Sequence, residues 1–363
     1  MKIHEIQSDL WLTKIDYFGD NIGNEFEFDI SRGSNDKSVV KIRLQNGQIN
    51  SVDKLLFTLF FNKEQSISVN VIVTEKDDYP DKGLGKVSIA VKNKKVTSAS
   101  VEIDVEEINP KQNQKLVGKI KLYFELRSYK IGMQMLYHVD DEGWIAGKYV
   151  DENGETFGRN VYFPKGLKVN IYKKVFYENT RDGYIGEEFF EILEGNWLME
   201  HKLGTARLLI PEGIKTRFSE KLNYKDACKL IFRIKKLEDD GFLHGKLKIE
   251  GIAGELNALT SYDEDTLPNG IFPIEIPDTI HKNGKYYLKN SIYARTWFRI
   301  KFALNPNQEF YLHFGQLSSG CITVLQNNPE NIWSNIYERL IYCRKIGQKG
   351  IVGTVEVIHV RTR

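Results

Sequence analysis

Apolar and polar residues alternate with a period of two through the first third of the chain. Ser66–Thr74 reads SISVNVIVT, with Ile67, Val69, Val71 and Val73 on one face. Gly85–Val91 and Ser100–Val105 alternate in the same way, and Lys115–Leu126 keeps Leu116, Ile120, Leu122 and Phe124 in phase. Successive side chains on a strand point to opposite faces, so this period specifies strands with one buried and one wet face. Strands of that kind assemble as an antiparallel sandwich. The polar, Gly- and Pro-punctuated stretches Tyr79–Gly83 and Asn109–Gln114 read as connections.

Three blocks follow from the pattern. Residues 1–128 make the β-sandwich. Residues 129–226 make a small β-rich module, with hairpin turns at Asp151-Glu152-Asn153-Gly154 and Arg181-Asp182-Gly183. Within it, Glu187, Glu188, Glu191 and Glu194 cluster near Trp197. Paired carboxylates beside aromatics suit sugar hydrolysis, but a wet face with Phe189, Phe190, Ile192 and Leu193 turned inward is the simpler expectation. Residues 227–363 open with a hairpin, Lys229–Lys236 and Phe242–Ile249, joined at Asp239-Asp240-Gly241; a helix over Asp226–Lys236 competes with its first strand. One helix is expected later. Asn328 suits the N-cap, Pro329 the first helical position and Glu330 the dipole. Ile332, Ile336 and Leu340 recur at four-residue spacing, widened by Trp333 and Ile341, and Gly347 suits the C-cap. The fold class is therefore mainly β: a sandwich, a small middle β module and a C-terminal β-rich domain with a helix.

Composition narrows the function. The chain carries 51 Lys plus Arg against 49 Asp plus Glu, a net charge of +2. That leaves no basic excess for a phosphate backbone, so no nucleic-acid partner is expected. The three cysteines, Cys228, Cys321 and Cys343, make neither a disulfide framework nor a four-cysteine zinc site. The first residues, MKIHEIQSDLWLTKIDYFGD, contain no signal-like apolar run, and no stretch is apolar for the roughly 18 residues of a membrane span. Synthesis in the cytoplasm without a signal peptide, and no transmembrane segment, are the expectations.

The chemistry is concentrated in Glu309–Leu325, EFYLHFGQLSSGCITVL. On a strand, Phe310, Leu312 and Phe314 face one way and Tyr311 and His313 the other. Ile322-Thr323-Val324 resumes the strand pattern after the polar turn Gln316–Gly320. Pairing of the two strands would bring His313 and Cys321 together; directly opposed residues have Cβ atoms about 4.5–5.5 Å apart. A neighbouring imidazole activates a thiol, because the thiolate is the nucleophile. Gly320 lets a substrate carbonyl approach backbone amides that would serve as oxyanion donors, with Ser318 and Ser319 keeping the turn polar. The structural alternative is a small buried Cys321 and a satisfied strand histidine. Cys343 is expected in the helix, packed.

Two families resemble parts of the chain. Val71–Val91, VIVTEKDDYPDKGLGKVSIAV, resembles the strand–loop–strand of C2 domains over the first third of the sequence. That resemblance implies an adaptor or targeting module. In a calcium-binding version Glu75, Asp77 and Asp81 would ligate the ion; a solvated acidic turn is the simpler reading, and neither a metal nor a cofactor is expected.

His313 with Ser318-Ser319-Gly320-Cys321-Ile322 resembles the active-site signature of L,D-transpeptidase catalytic domains, cysteine enzymes acting on peptidoglycan stem peptides. Thr266-Leu267-Pro268-Asn269-Gly270-Ile271-Phe272-Pro273-Ile274 resembles that family's upstream Thr-Pro-x-Gly-x-Tyr/Phe element. Tyr293–Phe298 followed by Phe310–His313 resembles its branch with a short His-to-Cys loop, which includes interbacterial effectors of type VI secretion. The resemblance covers about residues 240–345. It implies Cys321 as nucleophile, His313 as base, and cleavage or exchange of the terminal D-alanine of stem tetrapeptides. Two positions depart from the commoner pattern: Ser319 stands where a His precedes Gly-Cys, and Thr323 where an Arg meets a substrate carboxylate. Arg295 is the candidate replacement for that Arg, because a planar guanidinium suits a carboxylate, and Thr323 is the other substrate-binding candidate. A structural ion pair is its other reading, and Trp297 is expected in the core.

The resemblance further implies an effector acting in a target cell's periplasm, with a secretion apparatus and an immunity protein as partners. The alternative is a non-enzymatic, β-rich structural or binding component of a phage tail or secretion particle.

Overall fold

A computed structural model describes residues 4–34, 36–76, 80–109, 114–140, 142–151, 153–195, 204–222, 224–262, 266–302 and 309–360. The chain divides into two compact units, residues 1–132 and 133–363. Both are mainly β, as the alternation dictates.

Unit 1 holds eight strands: β1 (Ile6–Gly19), β2 (Glu25–Arg32), β3 (Asp36–Arg43), β4 (Gln48–Phe61), β5 (Gln65–Glu75), β6 (Lys82–Val91), β7 (Val96–Asn109) and β8 (Gln114–Lys130). They form two four-stranded sheets, β4-β1-β8-β7 and β3-β2-β5-β6, whose pairings are antiparallel. The in-phase residues become the shared core: Ile67, Val69, Val71 and Val73 of β5, Ile120, Leu122 and Phe124 of β8, and Leu10, Leu12 and Ile15 of β1. Glu75 ends β5 buried, its amide bonded to the Asp81 carbonyl at 3.0 Å. Asp77 and most of the 109–114 connection lie outside the described residues, and no cluster of three potential metal ligands occurs among the described ones.

Unit 2 contains a seven-stranded sheet made from β9 (Gly132–Leu136), β10 (Trp144–Val150), β11 (Thr156–Pro164), β12 (Lys168–Arg181), β13 (Tyr184–Ile192), β14 (Thr205–Pro211) and β15 (Phe218–Ser219), in the order β11-β10-β14-β13-β12-β9-β15. Its hairpins turn where expected. Asp151 Oδ1 accepts the amides of Asn153 and Glu155 at 2.9 Å, and Asp182 and Gly183 both take positive φ between β12 and β13.

The glutamate cluster departs from expectation. Phe189, Phe190 and Ile192 are buried, but so are Glu188 and Glu194. Glu188 meets Lys174 Nζ at 2.7 Å, Glu194 meets Arg344 at 2.7 Å, and Glu187 meets Arg207 at 2.5 Å. Each of these acids is committed to its own cation, because a buried carboxylate is tolerated only when paired. Trp197 lies outside the described residues.

A short strand β16 (Lys225–Asp226) leads into β17 (Cys228–Leu237), β18 (Phe242–Ile249), β19 (Leu256–Ser261), β20 (Gly270–Glu275), β21 (Phe298–Ile300), β22 (Phe310–Gly315) and β23 (Ile322–Leu325). After helix α1 (Ile332–Ile341) come β24 (Cys343–Arg344) and β25 (Ile351–His359). Eight of these strands close into a barrel, β17-β18-β19-β23-β22-β21-β20-β25. The β17–β18 hairpin turns at Gly241, with φ +82°, so the competing helix over 226–236 does not form.

The helix starts later than its sequence signals. Asn328 is not its cap: its side chain bonds the backbone of Asn257 in β19 in both directions, at 2.8 Å each. Asn331 occupies the cap position with φ +61°, and the helix ends at Ile341, well before Gly347. Cys343 therefore sits beyond the helix in β24, where it is nonetheless buried.

Candidate active site

Strands β22 and β23 pair in parallel, with Leu312 opposite Ile322 and His313 opposite Thr323. The sequence pattern anticipated their pairing, with His313 and Cys321 brought together across it; the parallel register instead sets Thr323 opposite His313. Neighbouring parallel strands usually need a crossover of a dozen residues or more. Here Gln316–Cys321 makes the return in six. The chain must come back along about three residues of rise, roughly 10 Å, and six residues can span at most about 20 Å, so the return is feasible and tight.

Side-chain bonds fix the turn. Gly320, with φ +86°, donates its amide to Ser261 Oγ at 2.7 Å and accepts from Thr260 Oγ1 at 3.2 Å. The Ser318 hydroxyl donates to the Cys321 carbonyl at 2.6 Å, and Gln316 donates to Gln326 at 2.9 Å. Ser319 is exposed. Gly320 and Ser318 thus spend these donors on holding the turn rather than offering them to an oxyanion. The Thr266–Ile274 element joins the same network, since Thr266 Oγ1 donates to the Ser261 carbonyl at 2.5 Å, and Gly270–Glu275 forms β20. Residues 263–265 just before it are outside the described set.

The two faces of β22 have different jobs. Phe314 packs on Trp333 of α1, as does Phe298 of β21. The alternate face carries Tyr311 and His313. On β23, Thr323 points to that face, and Cys321 lies in the bend just before the strand, where a hydrogen bond from the Tyr311 backbone reaches its thiol. Cys321 is 6 % exposed and His313 5 %.

Burial pushes the Cys321 thiol up to about 11, offset in part by a hydrogen bond from the Tyr311 backbone. Burial pushes His313 down to about 4; the Phe314 carbonyl works against that shift and the nearby His281 adds to it. His313 Nδ1 lies 3.3 Å from the Phe314 carbonyl oxygen, and Nε2 lies 3.0 Å from Thr323 Oγ1. Among the described residues the imidazole and the thiol do not hydrogen-bond one another: in this arrangement Nε2 is occupied by Thr323.

Three surrounding groups were not legible as site residues. Trp297 lies flat on His313, with centroids 4.2 Å apart, and its other face stacks on His281 at 4.1 Å. His281 Nε2 is 3.6 Å from Asp278 Oδ1, and Asp278 Oδ2 accepts from the Tyr311 hydroxyl at 3.3 Å. Burial raises the Tyr311 phenol, with Asp278 and Glu309 adding to the shift. A lone His in Thr279-Ile280-His281-Lys282 carries no pattern that a sequence reader would catch. Trp297 was expected in the core, and it packs the imidazole instead.

Arg295 is the ion pair its structural reading foresaw. Its guanidinium meets Glu142, and its Nε is buried without a hydrogen-bond partner. Thr323, the other substrate-binding candidate, is fully buried and bonded to His313 and the Leu317 carbonyl rather than open to a ligand. Cys228 and Cys343 are both fully buried and hydrogen-bonded thiol to thiol, away from any His-bearing turn.

No protein-family model matches the chain, and no curated protein matches it. Among solved structures, human GIVD cytosolic phospholipase A2 is similar at a TM-score of 0.24 with 10% identity, over 79% of this chain and 36% of that one. This chain thus spans little more than a third of that protein's length, and a likeness at that level carries no argument about fold or chemistry.

Proposed function

We propose that unit 2 is a cysteine acyltransferase of the L,D-transpeptidase kind, cleaving or exchanging the terminal D-alanine of peptidoglycan stem tetrapeptides. The observation that carries this reading is the parallel pairing of β22 and β23, which puts His313 on one strand and Cys321 at the head of the next, directly after the Ser318-Ser319-Gly320 turn. His313 takes the Cys321 proton, and the sulfur attacks the carbonyl between the third residue and the D-alanine. The C–N bond breaks as the imidazolium protonates the leaving amine, and the thioester then passes its acyl group to water or to an acceptor amine. The C2-like resemblance of unit 1 supports an adaptor or targeting role. With the short-loop branch, it supports an antibacterial effector that acts in a rival's periplasm and is countered by an immunity protein.

Mass analysis of muropeptides incubated with pure protein tests the chemistry. Tetrapeptides should lose one alanine or exchange it, and Cys321→Ala should abolish the change. A second reading is favoured by the raised thiol and its burial: a non-enzymatic β-rich component of a secretion particle or phage tail. Under that reading Cys321→Ala alters nothing.

A further inference from the structure

A cavity of about 490 Å³ lies in unit 2 between the last turn of α1 and β9 and β15 at the edge of the seven-stranded sheet. Small-molecule sites commonly measure roughly 300–1,000 Å³. Part of the lining is apolar and aromatic. Met135 of β9 is buried, Tyr342 follows α1, and Tyr137 stays 45 % exposed although Lys165 Nζ lies 5.3 Å over its ring. Three cations, Lys221, Lys225 and Arg339, complete it, each anchored at a different place. Lys221 donates its amide to Ser219 Oγ at 3.2 Å, and Ser219 pairs with Met135. Lys225, in β16, donates its amide to the Tyr342 carbonyl at 2.8 Å. Arg339 Nε donates to the Glu250 carbonyl at 2.8 Å. Among the described residues none of the three forms an ion pair. The carboxylate of the lining, Glu338, is already engaged: its Oε1 accepts from Lys165 Nζ and from the Tyr293 hydroxyl, both at 2.8 Å. Lys165 cancels its charge, so the cavity keeps three uncompensated cations in a chain whose net charge is only +2. The C-terminal end of α1 opposes an anion with about half a negative charge, which three full positive charges outweigh.

We infer that this cavity binds a small molecule in which a compact, doubly charged anion is joined to a flat apolar body, as in an aromatic phosphate monoester. Lys221, Lys225 and Arg339 supply charge-assisted donors to the head, and the Arg339 guanidinium keeps N–H groups beyond the one spent on Glu250. Tyr137 and Tyr342 supply ring surface to the body. Three cations with no uncommitted carboxylate among them favour a dianion over a monoanion. The inference is independent of the chemistry at Cys321.

Isothermal titration of the intact chain with 1-naphthyl phosphate tests it, beside 1-naphthol and inorganic phosphate, the two halves of that probe, and 2-naphthoate, its monoanionic counterpart. The phosphate ester should bind one to one, about tenfold or more tighter than either half, and tighter than 2-naphthoate. Lys221→Ala/Lys225→Ala should weaken the ester by about tenfold or more and leave 1-naphthol unchanged. Tyr137→Ala should weaken both. An ester that does not bind, 1-naphthol or 2-naphthoate binding as tightly as the ester, or a double variant equal to wild type overturns the inference. Both lysines are exposed, and a thermal melt checks that the double variant is folded. If it melts early, salt decides on the wild type. Affinity for the ester must fall as ionic strength rises while that for 1-naphthol holds, and an ester affinity indifferent to salt overturns the inference.

Discussion

Gly320 donates its amide to the Ser261 hydroxyl at 2.7 Å, so the last residue of β19 holds the turn that delivers Cys321. Both groups are buried. Ser261→Ala strands that N–H, and an unsatisfied buried donor costs about 1–3 kcal/mol. Urea unfolding should report a loss in that range. Under the proposed function, muropeptide turnover by the folded variant should fall as well, because the turn that carries Cys321 is no longer fixed.

The histidine sets a pH dependence of stability. Its folded pKa of about 4 lies below the ordinary value near 6.5. Above 6.5 the ring is neutral in both states. As pH falls, the unfolded chain takes up the proton first, so stability declines from about 6.5 and levels off near 4. The loss is on the order of 3 kcal/mol. Urea midpoints between pH 7.5 and 4 should fall less steeply in His313→Gln than in wild type.

A different site tests the seven-stranded sheet. Glu188 is fully buried against Lys174, which is itself only 6 % exposed. Lys174→Met leaves the carboxylate buried without its cation and should cost about 3–5 kcal/mol. The double variant Lys174→Met/Glu188→Gln should recover part of that, because the charge is gone and Thr216 and the Arg217 amide remain to bond the side chain. Chemical denaturation of the two variants and wild type checks the ordering.

The thiols should separate by burial. Cys228 and Cys343 are fully covered, whereas Cys321 keeps 6 % exposure. Their mutual bond and burial push Cys228 up, and the same bond, with the nearby Arg339 and Arg344, draws Cys343 down to about 7. Even so, native alkylation followed by peptide mass mapping should label Cys321 first, and the other two only under denaturant.

Much of the architecture is legible because period two is a local signal. Ile67–Val73 needs no partner to declare one apolar face, and Asp239-Asp240-Gly241 needs only its own turn chemistry. What stayed hidden depends on distant residues. Parallel and antiparallel strands share the same alternation, so the direction of β22 against β23 is not written in either segment. Asn328 has a cap's chemistry but spends its side chain on Asn257, about 70 positions away. Glu188 sits between residues that do not reveal Lys174. In the site, His313 and Cys321 stood out as a pair, whereas the grip of Thr323 on the imidazole and the cover by Trp297 arise only when β21, β22 and β23 meet.

The six-residue return from β22 to β23 makes covalent length the gauge of the site. An extra residue there would give slack for one strand to slide along the other. A one-step slide would turn Thr323 to the far side of the sheet. The register of β22 against β23 is thus metered by backbone count as well as by side-chain bonds.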